Sequence, residues 1–368
     1  MPNHDGSRVS QRQLNRWTLA RQMLLQRVEM DAVTAIERLA GMQAQYSPSP
    51  YIGLWSRLSD FNREELEAAV LEDRVLKATL MRGTLHLVSG QDFGRYRVAS
   101  RSPYHVYTQM VQQLRERGID VDAVREEIVA AVRQRPLKRM EIRTIARHRV
   151  PDDMPEWAAW STVALSGDLI NVQDDARFGY FGGSRYRVAP DDEPEADGAR
   201  RYVAAAYFAA FGPATRADLA QWSGQSVSSF AASLDELGLV SLLAEDGRTL
   251  LDLPTAPRSE SDIPAPVRFL PKWDNLLLAY ARRERVLPEP YRKIVIRKNG
   301  DVLPTFLVDG LVAGTWAAPL RGPAVLTLSP LAPIADDDRA EIEHEGEQLH
   351  TWLRPDTDRR AIKWVIAL

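Results

Sequence analysis

The chain has 368 residues, a formal net charge of -3 and no cysteine, so it forms no disulfide and performs no thiolate chemistry, which fits a reducing cytoplasm. Hydrophobic residues make up 45% and charged residues 26%, an ordinary globular balance in a chain long enough for two or more units. No apolar run approaches the roughly 20 residues that cross a bilayer, and the polar start, MPNHDGSRVSQRQ, lacks the apolar core of a secretion signal.

Ser10 can cap a first helix carrying Leu14, Trp17, Leu24 and Val28 at helical spacing. Asp31 can cap a second, with Val33, Ile36 and Leu39 inward. That helix runs into Gly41-Met-Gln-Ala-Gln-Tyr-Ser-Pro-Ser-Pro50. Pro48 and Pro50 disfavour helix, which puts Gln43 and Gln45 on an extended segment. Residues two apart in such a segment face the same side. Both amides then address one cavity, with Ala44 turned away, although a polar loop between helices reads the same way. An apolar helix over 51–58 and a glutamate-rich one over 63–72 follow, then a β-rich hairpin over 74–88 around Gly83.

Helices followed by a small hairpin make the pattern of a winged helix, and the pattern recurs. Helices are predicted over 121–133, 140–149 and around Trp157–Ala164. A strand at 169–172 then leads to Arg177, Phe178, Tyr180, Phe181, Arg185, Tyr186 and Arg187 around Gly182-Gly183, read as a strand–turn–strand wing or a core hairpin with exposed arginines. Residues 191–197, with five acids, read as a linker. A third copy has helices over 202–211, 216–221 and 226–236, the last a candidate recognition helix, and a hairpin over 238–253. The remainder turns β-rich: a strand at 267–274, a meander over 294–316 continued by 324–328, an acidic helix over 336–352 and a strand at 361–367. The predicted class is mainly α with small β-wings, an α+β chain. Its units are 1–118, 119–190, the linker 191–197, 198–256, and a C-terminal β region at 257–368.

Charge is segregated. Residues 133–149 hold seven basic residues and one acid, and residues 272–298 hold eight and three, while 336–347 hold seven acids. Such segregation permits a basic face on a mildly acidic protein, or solvated helix faces scattered in space. Candidate phosphate contacts from charge density are Arg133, Arg139, Arg143, Arg147, Arg282, Arg283 and Lys298.

Four stretches in order, Gly41-Met-Gln-Ala-Gln-Tyr46, Arg82-Gly-Thr-Leu-His86, Leu270-Pro-Lys-Trp-Asp274 and Pro304-Thr-Phe-Leu-Val-Asp-Gly310 with Gly314-Thr-Trp316, resemble the winged-helix DNA glycosylase family of the YcaQ and AlkZ proteins, most closely the AlkZ branch. The resemblance spans nearly the whole chain. It implies three tandem winged helices around a concave DNA-sized cleft. It also implies a monofunctional glycosylase that excises N7-alkylguanine and unhooks azinomycin-type interstrand crosslinks, leaving an abasic site. It places the catalytic pair at Gln43 and Gln45, where YcaQ-type relatives carry Asp at the second position. The partner implied is double-stranded DNA with alkylated or crosslinked guanine, bound by a monomer without cofactor or membrane. A hairpin holding the duplex open from the minor groove is also implied. Val308, Asp309, Gly310 and Leu311 are its best placement, and the Lys298-Asn299-Gly300 tip is the rival.

N7 alkylation makes guanine cationic and already a good leaving group. The demands left are an oxocarbenium-like sugar and a placed water, which preorganised dipoles can meet. The amide oxygens of Gln43 and Gln45 are expected to hold that water beneath C1′. No recognised metal pair occurs among the six histidines, His4, His86, His105, His148, His344 and His350, so no metal site is expected. A Schiff-base lyase would need a lysine, for which Lys77, Lys272 and Lys298 are placed by position alone. The other reading is a winged-helix transcription regulator, which selects a sequence rather than a lesion. No heptad seam for a regulator's dimer is present.

Overall fold

The computed structural model describes residues 8–102, 105–260 and 262–365. The polar stretch 1–7 and the end of the predicted last strand, 366–367, lie outside the described residues. Among the described residues, fifteen α-helices and thirteen short strands in four sheets form an α+β fold.

In the first group, Ser10 and Gln13 form a capping box that opens the helix Gln11–Arg21. Leu24 and Val28, assigned to that helix from spacing, lie beyond its end. Asp31 accepts from the amides of Val33 and Thr34 and opens Ala32–Arg38. Gly41, at φ +82°, then turns the chain into β1 (Met42–Gln43). A Cβ there would press on Val88 at 3.0 Å and on the Leu87 carbonyl at 3.2 Å, so glycine is required. The prolines act differently from the sequence expectation. They open a helix, Pro48–Trp55, because its first-turn amides need no intrahelical partner. After the helix Arg63–Leu71 come β2 (Val75–Thr79) and β3 (Leu85–Ser89), and the sheet order is β1-β3-β2.

The second group packs the helices Val106–Glu116, Val121–Gln134, Arg139–Ile145 and Ala158–Ala164 on a sheet of β4 (Leu137–Lys138), β5 (Leu169–Asn171) and β6 (Arg185–Val188). Its core is its own, with Leu114, Ile128, Ile142, Trp160 and Tyr186. Residues 177–184 form no strand, contrary to the predicted wing. Phe178 is drawn off to stack edge-on against Tyr51 and Trp352, leaving Gly182-Gly183 in a loop between β5 and β6.

The third group starts inside the acidic stretch: Glu195 accepts from the amides of Asp197 and Gly198 and caps the helix Ala196–Phe211. Arg216–Ser223 follows. The expected helix over 226–236 is split into a 3-10 turn, Val227–Phe230, and a short helix, Ala231–Glu236. β7 (Val240–Leu243) and β8 (Thr249–Asp252) close the group.

The last sheet has the order β13-β12-β11-β10-β9, from β9 (Arg268–Leu270), β10 (Thr305–Val308), β11 (Leu311–Ala317), β12 (Val325–Pro330) and β13 (Ala361–Trp364). β12 and β13 run parallel and the other pairs antiparallel. The meander's first limb is not a strand pair. Residues 292–295 are helical, and only an isolated Ile296–Val302 bridge closes the Asn299-Gly300 loop. β9 takes the place beside β10.

Two cores link these groups. One joins Ile36, Leu54 and Leu66 to Phe269, Phe306, Leu326 and Leu349 across the C-terminal sheet and its helix Asp336–Leu353. The other joins Leu76 and Val88 of the first hairpin to Tyr207, Phe211 and Trp222 of the third group. Buried ion pairs cross the same seams. Arg21 holds Asp252 through two bonds of 2.8 and 2.9 Å, and Arg57 holds Asp274 through two of 2.9 and 2.8 Å, all four side chains being almost fully buried. Removing one member leaves an uncompensated buried charge. Asp274→Ala is therefore expected to lower the unfolding free energy by about 3–5 kcal/mol, and the double variant Arg57→Met/Asp274→Leu to recover most of that loss. Denaturant unfolding checks this. A single-variant loss below about 1 kcal/mol would mean the pair does not hold the seam.

Candidate active site

The glutamine stretch is positioned from both ends of the chain. Asp274 pairs with Arg57, just beyond the helix Pro48–Trp55, and caps the short helix Asn275–Leu278. The next residue, Asn275, donates to the carbonyls of Leu39 (3.3 Å) and Gly41, and its Oδ1 accepts from the Gln43 backbone amide at 3.4 Å. β10 pairs with β9, and the Trp316 indole donates to the Leu270 carbonyl at 2.9 Å. All four sequence stretches named above thus converge on one place.

Gln43 lies opposite His86 in the β1–β3 register and is 6% exposed. Its Oε1 accepts from Arg82 Nη2 at 2.9 Å. The same Arg82 nitrogen lies 3.3 Å from His86 Nε2, Arg82 Nη1 donates to the Trp222 carbonyl, and His86 Nδ1 lies 2.9 Å from the Thr84 carbonyl. The bonds fix the tautomer: Nδ1–H donates to Thr84, and Nε2 accepts from the guanidinium. Burial first, and the Arg82 charge second, push the His86 ring down to about 3, so it is neutral at ordinary pH. Burial, with Arg283 nearby, pushes Arg82 down to about 10, so it stays a cation. Arg82 adopts a left-handed backbone, φ +57°, in the turn that aims it at Gln43.

Gln45 is exposed, and its Oε1 accepts from the Leu85 amide at 3.3 Å, while the buried Ala44 donates to the Leu85 carbonyl at 2.7 Å. Arginine and a backbone amide are pure donors, so the oxygen of each glutamine, not its nitrogen, faces the partner. Gln45 also lines a cavity of about 400 Å³ between the first and second groups, with Tyr107, Lys138, Arg139, Trp160 and Tyr186. Gln43 is not among its lining residues. It sits instead behind Arg82, which lines a second and more open cavity of about 680 Å³ against the helix Arg216–Ser223. The single cavity expected for both amides is therefore not formed: Gln45 lines the first cavity, and the buried Gln43 lines neither.

The basic candidates separate. Arg139 lies over the Trp160 ring at 5.2 Å, donates to Tyr107 Oη at 3.1 Å and forms a wall of the Gln45 cavity. Arg143 pairs with Glu156 at 2.8 Å, and Arg147 donates to the carbonyls of Pro151, Asp152 and Met154. Arg283 donates to the Leu277 carbonyl, Arg282 pairs with Glu284, and Arg133 and Lys298 are exposed. The 309–310 turn is tied down. Asp309 pairs with Arg12 at 2.6 Å and with buried Arg16, and the Gly310 carbonyl accepts from Asn15 at 2.9 Å. Val308 and Leu311 flank it, Leu311 being exposed. The rival tip at 298–300 is exposed; the Trp273 indole donates to its Gly300 carbonyl at 2.9 Å, but no described ion pair holds Lys298. This tip adjoins a cavity of about 380 Å³ lined by Tyr46, Lys272, Arg297 and Trp316.

Of the lysines, Lys77 is buried on β2, donates to the Asp175 carbonyl at 2.7 Å and lies 3.4 Å from the Ser47 hydroxyl. Burial pushes its ammonium down to about 8. Lys272 pairs with Asp301 at 2.8 Å. Arg82 is the functional candidate that sequence reasoning missed. Its motif was visible, but its aim at Gln43 depends on a left-handed turn that the sequence marks only by Gly83.

A family model described as DNA glycosylase AlkZ-like matches residues 36–352. A curated protein of Streptomyces sahachiroi, named an interstrand DNA cross-link repair glycosylase, is 27% identical over 330 residues, 84% of this chain and 88% of its own length. The solved structure of Streptomyces sahachiroi DNA glycosylase AlkZ superposes with a TM-score of 0.77 at 23% identity, covering 98% of this chain and 100% of that one. The fold is that of AlkZ, and the chain belongs to the AlkZ-like DNA glycosylase family.

Proposed function

We propose that this glycosylase hydrolyses the N-glycosidic bond of cationic N7-alkylguanine in duplex DNA, including guanine tethered in an interstrand crosslink, with Gln43 and Gln45 at the chemical centre. The observation that carries the reading is the pair itself. Two oriented amides lie two residues apart, Gln43 at the end of β1 held by Asn275 and Arg82 and Gln45 just beyond the strand held by the Leu85 amide, with no carboxylate in the pairings of either one. Amides suit a reaction whose leaving group is already activated, because they orient water and dipoles but abstract no proton. The name of the Streptomyces relative supports crosslinked DNA as substrate.

Gln45 is the water-positioning residue in this reading. It is exposed and faces a cavity, and its oxygen keeps a second lone pair beyond the long contact to Leu85. Arg139 and Lys138 on the wall of that cavity suit a phosphate beside the lesion. Three helix groups, each with a small hairpin, fit tandem winged helices over 1–118, 119–190 and 198–256, with 257–368 as the bracing sheet. The reading takes the protein to act as a monomer. A groove-entering hairpin is better served by the exposed Arg297-Lys298-Asn299-Gly300 loop than by 308–311. The latter would have to release the Arg12 and Arg16 pairs to move.

Single-turnover release of N7-methylguanine from duplex DNA tests the reading. Gln43→Ala and Gln45→Ala are each expected to slow release by about 10²-fold while affinity for duplex stays within about twofold. Release by the wild type that both variants retain would remove the amides from the chemistry, and no release from any N7-alkylated duplex would overturn the function. Appreciable excision of unmodified guanine would also contradict it, because amides alone cannot activate a neutral base. The pH profile gives a second check. His86 is held neutral down to about 3, so it does not titrate between about pH 5.5 and 7.5, and the single-turnover rate is expected to be flat there. A rate that falls with an apparent pKa near 6.5 would contradict this. Borohydride added during turnover is expected to trap no enzyme–DNA adduct, since Lys77 is engaged with Asp175 and Ser47. A trapped adduct that disappears in Lys77→Met would reclassify the enzyme as a lyase.

A further inference from the structure

We infer that Gln43 works as a hydrogen-bond donor to the departing base, and that Arg82 and His86 are positioning residues that set it in that role. The inference rests on the proposed excision of N7-alkylguanine and assigns the two glutamines different tasks.

The argument starts from the amide's orientation. Gln43 Oε1 is fixed on Arg82 Nη2 at 2.9 Å, and a guanidinium has no acceptor, so the amide cannot be turned over without setting donor against donor. Its NH₂ is therefore directed away from Arg82. Arg82 is itself fixed by the Trp222 carbonyl and by His86 Nε2 at 3.3 Å, and the His86 ring is fixed by the Thr84 carbonyl at 2.9 Å. A neutral histidine can accept from Arg82 where an imidazolium would repel it. The chain of bonds is polarised in one direction: a cation withdraws density from the amide oxygen, which makes the amide N–H a stronger donor. Gln45 lacks this arrangement, since its oxygen meets only a backbone amide at 3.3 Å.

A strengthened donor suits the base rather than the water. As the C1′–N9 bond breaks, its electron pair passes to the base and neutralises the N7-alkylated ring, while the water oxygen bonds to C1′ and the water's second proton passes to solvent. Electron density rises at N9 and N3. Guanine N3 is the acceptor that the minor-groove edge presents, and a donor placed there is worth more in the transition state than in the ground state. The positive charge of Arg82 is matched to the same flow, since it disfavours a cationic base and tolerates a neutral one.

The test compares duplexes carrying N7-methylguanine and N7-methyl-3-deazaguanine, in which N3 is a C–H. The readout is the wild-type single-turnover rate divided by the spontaneous loss of each base. The enhancement is expected to fall by at least about tenfold on the 3-deaza duplex. Gln43→Glu, which keeps an oxygen but loses the donor, is expected to slow N7-methylguanine release as much as Gln43→Ala does. It is expected to change the 3-deaza rate little. Arg82→Met should lower the single-turnover rate at saturating enzyme without altering duplex affinity, and Arg82→Lys should recover part of it. Equal enhancement on the two duplexes, or a Gln43→Glu enzyme as fast as the wild type, would overturn the inference. The two-duplex comparison in the wild type decides the matter even if a variant folds poorly. If the wild type releases neither base, the proposed function itself fails, and that outcome is distinct from equal release of both.

Discussion

The two residues Asp274 and Asn275 hold this molecule to its purpose. Their side chains point to opposite ends of the glutamine strand: the carboxylate grips Arg57 behind the helix that follows it, and the amide grips Leu39, Gly41 and Gln43 at its start. β1 is only two residues long and pairs with a single strand, which is too little to fix a side chain within the tolerance that catalysis needs. The clamp supplies the missing rigidity from residues more than two hundred positions away. It in turn depends on β9, which is held by β10 and by the Trp316 indole. The C-terminal sheet thus serves the site without lining its Gln45 cavity.

The proposed site is built from neutral dipoles around one desolvated cation. A buried charge is costly unless its hydrogen bonds are satisfied, and Arg82 spends its donors on a carbonyl, an amide oxygen and a neutral imidazole. None of these partners is an anion, so its charge remains available to polarise what it touches. An acid placed here would quench it. That logic agrees with an amide rather than a carboxylate at position 43.

Much of this was legible in the sequence. Ser10 and Asp31 marked helix starts, Gly83 marked the first hairpin and Asp309-Gly310 the second, and the four ordered stretches pointed to the family because each is a short segment with a fixed local geometry. What was not legible depended on distant partners. Pro48 and Pro50 are equally good at ending a helix and at starting one, and only the packing of Tyr51 and Leu54 in the shared core decides. Phe178 looked like a strand residue until Tyr51 and Trp352 claimed it. Asn299-Gly300 promised a hairpin, but the residues before it turn into a helix, and β9 takes the strand position instead. The orientation of the two amides was invisible for the same reason. It is set by Arg82 across a left-handed turn and by the Leu85 amide.

The most direct measurement is a structure of the protein bound to duplex DNA carrying N7-methyl-2′-fluoro-2′-deoxyguanosine, whose fluorine slows loss of the base. The account predicts the lesion's C1′ beside Gln43 and Gln45, with a water between it and the Gln45 oxygen and the Arg82–Gln43 bond intact. A lesion seated away from β1, or an Arg82 that leaves Gln43 to contact phosphate, would contradict it.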